Sequence, residues 1–212
     1  MNILWDWNGT LLNDIKISVS AINKTLIEYE LDPITVEVYK RFYRFPIRDY
    51  YQDIGFDLNI HDKVRISEKF FYYYNRLFQE KNNCLFEEKH GDILKELKIS
   101  GHKNYLLSAR EHSNLCQEVK YLGLESYFIE TYGASSALSK SKGQILMELF
   151  QNKELSRKET ILIGDTISDY ELAEKAGINC FLYTGGHQSR GRLNNLKNAV
   201  LMDSLELIKR FL

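Results

Sequence analysis

Apolar residues along this chain fall into two patterns. Short unbroken runs, Ile3-Leu4-Trp5, Tyr105-Leu106-Leu107, Ile161-Leu162-Ile163 and Cys180-Phe181-Leu182, each stop abruptly at polar residues or glycine, the pattern of buried strands. Elsewhere the apolar positions recur every three or four residues, the stripe of a helix packed on one face. Ile15, Val19, Ile22, Leu26 and Tyr29 mark the first such helix, with Asp14 placed to cap it and Asp32-Pro33 to end it. Thr35 caps a second carrying Val36, Tyr39, Phe42 and Tyr43, which Pro46 stops, and Ile47, Tyr50, Tyr51 and Ile54 mark a third, ending at Gly55. The fourth and longest is expected over 61–81, with Val64, Phe70, Phe71, Tyr74, Leu77 and Phe78 on its apolar face.

After Asn82-Asn83 strand and helix alternate. Gly91-Asp92 opens a helix through Ile93, Leu94 and Leu97 that Gly101 closes, and a strand over 104–107 ends at Ser108. A helix with Leu115, Val119 and Leu122 stops at Gly123, a weaker strand passes through Ile129 to Tyr132, and Lys142 precedes a helix with Ile145, Leu146 and Leu149. The strand over 160–163 leads to Gly164-Asp165, then to a helix with Leu172, Ala173 and Ala176 that ends at Gly177, and the next strand runs into Gly185-Gly186. Such alternation implies right-handed crossovers and a parallel sheet. The expected class is therefore α/β, with a helical block inserted just after the first strand. Insertions of that kind are tolerated at loops and often cover a site.

A chain of 212 residues with 44% hydrophobic content fills a real core. Its 28 Lys and Arg against 29 Asp and Glu leave no basic field for a nucleic acid or an anionic membrane. Cys84, Cys116 and Cys180 are odd in number, far apart and set among apolar residues, so they read as reduced core or filler thiols, and a cytoplasmic protein is expected. No basic leader precedes the first strand, and no apolar run reaches the roughly 18 residues that span a bilayer.

In a parallel sheet the carboxyl ends of the strands share one edge, where ligands bind. Asp6, Ser108, Asp165 and Asp169 follow strands there, Gly9 allows a tight turn beside Asp6, and Lys142 sits before a helix that can face the same edge. Carboxylates, an amide, a hydroxyl and an ammonium together suit a hard divalent cation and a phosphate. Asp165 and Asp169 are equally suited to capping the helix that opens near Ser168, and Lys142 to a solvated surface.

These residues resemble, in order, the four motifs of the haloacid dehalogenase superfamily, and specifically its phosphoglycolate phosphatase-like branch with a helical cap. Asp6-Trp7-Asn8-Gly9-Thr10-Leu11 is similar to the first motif, Leu106-Leu107-Ser108 to the second and Lys142-Gly143 to the third. Gly164-Asp165-Thr166-Ile167-Ser168-Asp169, with Leu172, Ala173, Ala176 and Gly177, is similar to the fourth. The resemblance implies a Rossmann-like parallel-sheet core over residues 1–13 and 84–212 and an inserted α-helical cap over 14–83. It further implies a Mg²⁺-dependent phosphatase of a small phosphorylated metabolite, with Asp6 as a nucleophile forming an aspartyl phosphate. The implied Mg²⁺ ligands are Asp6, the main-chain carbonyl of Asn8, Asp165, and Asp169 directly or through water. The implied substrate contacts are Asn8, Gly9, Ser108 with the neighbouring N–H of Ala109, and Lys142. A monomer or weak homodimer without nucleic-acid or membrane partners is the accompanying expectation.

One position departs from that pattern. The family's phosphatases usually carry a second Asp two positions after the nucleophile, as general acid and then base, and here the residue is Asn8. An amide neither gives nor takes a proton near neutrality. Three readings follow: a substrate whose leaving group is already a weak base, such as an acyl phosphate, an anhydride or an aryl ester; a proton shuttle from His187, His112 or the cap; or a protein that binds phosphate without efficient turnover. A dehalogenase would use Asp6 without needing the acidic pair Asp165 and Asp169. A phosphonatase would need a cap lysine, for which Lys24 and Lys40 are present but unmarked.

The remaining conspicuous residues read as structural. Phe70 to Tyr74 is expected in the cap's core and Trp5 within the sheet, while Trp7 is a candidate wall of the pocket. Arg41, Arg44 and Arg48 are expected on the cap's solvated surface, the alternative being that one of them reads a second anionic group on the substrate. His61 and His90, outside any metal spacing, are expected at ordinary surface or cap positions.

Overall fold

The computed structural model describes residues 1–81, 86–134, 141–152 and 155–212. Cys84 lies outside them. Six strands, β1 (Asn2–Trp5), β2 (Lys103–Glu111), β3 (Glu130–Ala134), β4 (Thr160–Gly164), β5 (Asn179–Tyr183) and β6 (Val200–Met202), form one sheet in the order β3-β2-β1-β4-β5-β6. Every pairing is parallel. Side chains alternate across it: Ile3, Trp5, Leu106, Ile161, Ile163 and Phe181 enter one apolar cluster and Leu4, Leu107, Leu162, Cys180 and Leu182 the other. A sheet buried on both faces explains why its strands read as continuous apolar runs.

In the chain, the helices α1 (Ile15–Glu28), α2 (Val36–Phe42), α3 (Ile47–Asp53) and α4 (Lys63–Lys81) follow β1 and precede β2, and they gather a third cluster around Ile22, Leu26, Tyr39, Tyr50, Phe56 and Ile66. Ile17 and Ala21 of α1, and Tyr74, Leu77 and Phe78 of α4, belong instead to the cluster beneath the sheet. These two helices therefore join the inserted block to the α/β layers. Thr35 caps α2 as expected, accepting a bond from the Val38 N–H. The buried stripe of α4 runs through Ile66, Phe70, Tyr74, Leu77 and Phe78, so Val64 and Phe71, expected on that face, are exposed.

After the insert come α5 (Glu88–Ile99), α6 (His112–Tyr121), α7 (Lys142–Gln151), α8 (Ile167–Ala176) and α9 (Arg190–Leu193). The helix expected to open at Gly91 starts earlier, at Glu88, and takes His90 into its first turn. His90 is buried, with Nδ1 against the Leu11 carbonyl at 2.9 Å, so it is a core residue rather than a surface or cap one. Strand β2 continues past Ser108 to Glu111, its register with β3 shifting between Leu107 and Glu111. Cys180 is buried as expected, whereas Cys116 is only half-buried, on α6 beside His112. Among the described residues no helix is long and apolar enough to cross a membrane.

Candidate active site

The register of β1 builds the site. Trp5 pairs with Leu106 on one side and Ile163 on the other, so Asp6 and Asp165 emerge just beyond the carboxyl ends of β1 and β4, while Ser108 lies within the last half of the adjacent β2. The Asp6 N–H donates to the Ile163 carbonyl at 2.8 Å, holding the turn against β4. Asp165 and Asp169 are both buried, and carboxylate oxygens of Asp6, Asp165 and Asp169 lie within 4.8 Å of one another.

Lys142 reaches this cluster as the first residue of α7, with Nζ 2.7 Å from Asp6 Oδ1 and 2.5 Å from Asp169 Oδ1. A cation in a first helical turn opposes the helix dipole, so the carboxylates, not the helix, account for its position. Ser141 holds that turn in a capping box with Gln144. Asp169 also serves α8: its Oδ2 accepts from the Thr166 hydroxyl at 2.6 Å and the Thr166 N–H at 3.1 Å. Asp169 thus takes part both in the capping box of α8 and in the carboxylate cluster.

Burial governs the charges. It pushes Asp6 up to about 6 despite the pull of Lys142, and Asp165 up to about 8 despite His187. Burial acts on Asp169 too, but Lys142 and Thr166 outweigh it and hold that carboxyl below its usual range. Burial opposes the Lys142 charge, and Asp169 and Asp6 more than restore it, raising its pKa. Two crowded carboxylates with raised pKa values mark a place where an additional cation would be favoured.

Asn8 faces elsewhere. Its Nδ2 donates to Asp14 Oδ2 and to the Tyr74 hydroxyl, both at 2.9 Å. Asp14, expected as the cap of α1, makes no capping bond with its side chain. It accepts from the Gly9 N–H at 2.9 Å, the Tyr74 hydroxyl at 2.9 Å and Ser18, and it pairs with His187 Nε2 at 3.2 Å. His187 Nδ1 meets the Tyr39 hydroxyl at 3.0 Å. Burial would lower the His187 pKa, but Asp14 above all overrides it and carries it to about 9. Burial likewise opposes ionisation of Asp14, and His187, Asn8 and Tyr74 outweigh it, keeping Asp14 below its usual range. Both ring nitrogens of His187 are therefore engaged.

Gly9 sits at φ +76°, and a Cβ there would lie 2.4 Å from Asp165 Oδ2 and 2.4 Å from the His187 ring. Only glycine lets this turn close over the acidic cluster. Ser108 is buried, its hydroxyl accepting from the Arg110 N–H at 3.1 Å and keeping its own proton to donate.

Between the inserted helices and the sheet edge lies a cavity of about 410 Å³, bordered on the core side by Asn8, Ala109 and Arg110 and on the helical side by aromatic rings. Phe70, Phe71 and Tyr74 line it, so the aromatic run expected to be cap core is shared between core and cavity. Trp7 does not line it; the indole is fully buried and donates to Glu118 at 2.8 Å. His112 is exposed and faces Cys116 and Gly133, away from the cavity. Arg41, Arg44 and Arg48 do not line it either; Arg44 pairs with Asp53. Lys40 is half-buried, contrary to the unmarked residue expected, and donates to the Gly185 carbonyl at 3.2 Å outside the cavity lining.

A parallel sheet that gathers an aspartate, a lysine and an acidic pair at its carboxyl edge beneath inserted helices defines a class of α/β hydrolase. The chain belongs to the haloacid dehalogenase-like hydrolase family, whose model matches residues 3–183. Solved structures agree over the whole fold. A haloacid dehalogenase-like hydrolase from Streptococcus pneumoniae is 23% identical, with 100% of this chain and 98% of that one covered and a TM-score of 0.72. A predicted phosphatase from Clostridium acetobutylicum is 19% identical, covering 99% and 97%, with a TM-score of 0.78. A predicted phosphoglycolate phosphatase from Haemophilus somnus is 18% identical, covering 99% and 96%, with a TM-score of 0.76. No curated protein matches the chain.

Proposed function

We propose that the protein is a Mg²⁺-dependent phosphatase of a small phosphorylated compound, working through an aspartyl phosphate on Asp6. The observation that carries this reading is the buried Asp6 carboxylate held at 2.7 Å by Lys142 within a crowd of two further carboxylates. The donor set fits Mg²⁺: it is all oxygen, and its spread is close to the roughly 4.2 Å between opposite oxygens in an octahedron with bonds of about 2.1 Å. Asp6, Asp165, the Asn8 carbonyl and, directly or through water, Asp169 would hold the ion. Bound there, it would neutralise charge on the phosphoryl oxygens and on the crowded carboxylates.

The chain's own groups do the rest. Asp6 attacks phosphorus, and Lys142 keeps that carboxylate ionised and oriented while stabilising charge on the transferring group. The Ser108 hydroxyl and the N–H of Ala109 hold phosphoryl oxygens, and the Gly9 turn excludes water from the back of the cluster. Residues 14–83 act as the cap and residues 1–13 with 84–212 as the core. The protein acts as a cytoplasmic monomer or weak homodimer.

Asn8 supports a second reading, a phosphate binder with impaired turnover, because its amide is tied to Asp14 and Tyr74 and has no proton to transfer. Release of phosphate from an aryl phosphate, measured with and without a chelator and in Asp6→Asn, separates the two. Phosphatase action requires that both treatments abolish release. Release that survives Asp6→Asn removes the nucleophile assignment, and binding of Mg²⁺ and phosphate with no release in the wild type selects the binder.

A further inference from the structure

The cavity beside Asn8 is wide, aromatic and without a spare cation. Eight of its twenty lining residues are Phe or Tyr. Tyr43 is the centre of that wall, with ring centroids 5.1 Å from Tyr39, 5.7 Å from Phe45 and 5.5 Å from Tyr50, in stacked and edge-on arrangements. Phe71 of α4 also lines the cavity, with the Arg110 guanidinium 5.4 Å from its ring centroid. The volume, about 410 Å³, is within the range that encloses drug-sized ligands and exceeds what a two-carbon leaving group fills.

Charge narrows the choice further. Four ionisable Asp, Glu, Arg or His side chains line the cavity: Asp14, Arg110, Glu111 and His187. Arg110 is committed to Glu118 at 2.8 Å and to Asn75 at 2.6 Å. His187 is committed to Asp14. Among the described residues no unpaired cation faces the space where a carboxylate on the leaving group would lie, and burying such a carboxylate without a partner is costly. A neutral ring loses little on entry and gains contact with the wall.

Leaving-group chemistry points the same way from an independent residue. Asn8 cannot protonate a departing oxygen, so a strongly basic alkoxide would leave slowly, whereas a phenolate is a weak enough base to leave unprotonated. Resting on the phosphatase reading above, we infer that the cap cavity is a subsite for an aromatic leaving group and that the substrates are aryl phosphates. In the reaction the Asp6 carboxylate forms a bond to phosphorus as the bond from phosphorus to the aryl oxygen breaks. The phenolate carries away that electron pair and takes a proton from solvent. Water then adds at phosphorus, freeing Asp6 and inorganic phosphate, so that aryl phosphate and water give a phenol and phosphate.

The test compares kcat/KM with Mg²⁺ for 2-naphthyl phosphate, acetyl phosphate and 2-phosphoglycolate. Acetyl phosphate has a good leaving group but no ring, so it separates the subsite from leaving-group basicity. The naphthyl ester should exceed each of the others by at least about tenfold, and Phe45→Leu and Phe71→Leu should each reduce its advantage over acetyl phosphate by about three- to tenfold. Both side chains are about half exposed, 48% and 45%, so these changes spare the core; melting temperatures check that, and the wild-type comparison decides even without them. If acetyl phosphate or 2-phosphoglycolate is hydrolysed as well as the naphthyl ester, the aryl inference is overturned and the phosphatase reading stands. If nothing is hydrolysed, that reading falls, and titration calorimetry decides the subsite. Binding of 2-naphthyl phosphate at least about tenfold tighter than inorganic phosphate upholds it, and equal affinities overturn it.

Discussion

Asp6 and Asp165 carry a consequence for pH that is measurable without any substrate. Burial raises them to about 6 and about 8, above the values they have in an unfolded chain. The folded protein therefore binds more protons than the unfolded one across that interval, and stability falls as pH rises through it. His187 acts in the same sense: raised to about 9, its contribution is complete below about 6.5 and lost as pH climbs through about 9. Metal-free protein should accordingly lose melting temperature between about pH 6 and pH 9, and the gain on adding Mg²⁺ should be larger at the alkaline end, where protons no longer compete for the carboxylates. A metal-free melting temperature that rises over this range contradicts the assigned burial of the acidic pair.

Asn8 offers the sharper experiment at this scale. Asn8→Asp would place a carboxylate where an amide now donates to Asp14 at 2.9 Å, so the pair would retain a proton that neither residue alone would keep. That proton is available to a departing alkoxide, and the ratio of alkyl to aryl phosphate turnover in the first step should rise by about one to two orders of magnitude. An unchanged ratio with Mg²⁺ still bound would mean that another group already supplies the proton. Asp14 itself shows where residue reading stops. An Asp directly before a helical stripe is read as a cap, and nothing local reveals that its partners stand 60 and 173 positions away, at Tyr74 and His187. His187 was legible only as a histidine following a strand.

Among the elements, the turn after β1 is held by a glycine that no other residue replaces. Gly9→Ala meets both the left-handed backbone at φ +76° and a contact of 2.4 Å with Asp165. Gly177, at the end of α8, has φ +68° with nothing within 4 Å of a Cβ, so Gly177→Ala meets the backbone cost alone, about 1 kcal/mol. Both variants should melt lower, Gly9→Ala by more, and only Gly9→Ala should weaken Mg²⁺ binding. Equal losses of stability with intact metal affinity in both would remove the cradle from the account. Helix ends at Gly and Pro and strand ends at polar residues were legible because each is a local backbone decision. The longer reach of β2 and the rotated stripe of α4 were not: Phe71 is apolar and at helical spacing, but it lies exposed at the cavity while Ile66, Leu77 and Phe78 take the buried face.

For the molecule as a whole, the alternation of apolar runs and helical stripes was sufficient to read a parallel sheet with an insert, since a sheet buried on both faces leaves that imprint on every strand. The position of Asp6, Asp165 and Lys142 at one edge followed from topology. The cavity did not, because its walls come from α1, α2, α3 and α4 together with the end of β2 around Ala109 and the segment at His187, and shape of that kind belongs to no single segment. The same assembly sets the kinetics expected of the whole protein. On the proposed mechanism a phenolate should depart fast, whereas Asn8 cannot take the proton from the water that would attack the aspartyl phosphate, so the second step is expected to be the slow one.

Rapid mixing of the enzyme with 2-naphthyl phosphate and Mg²⁺, followed by an acid quench and mass spectrometry of the peptides, tests this most directly. A burst of naphthol stoichiometric with enzyme is expected, with a phosphoryl group on the peptide that contains Asp6, both absent in Asp6→Asn. A phosphoryl group on another residue, or steady naphthol release from Asp6→Asn, would contradict it.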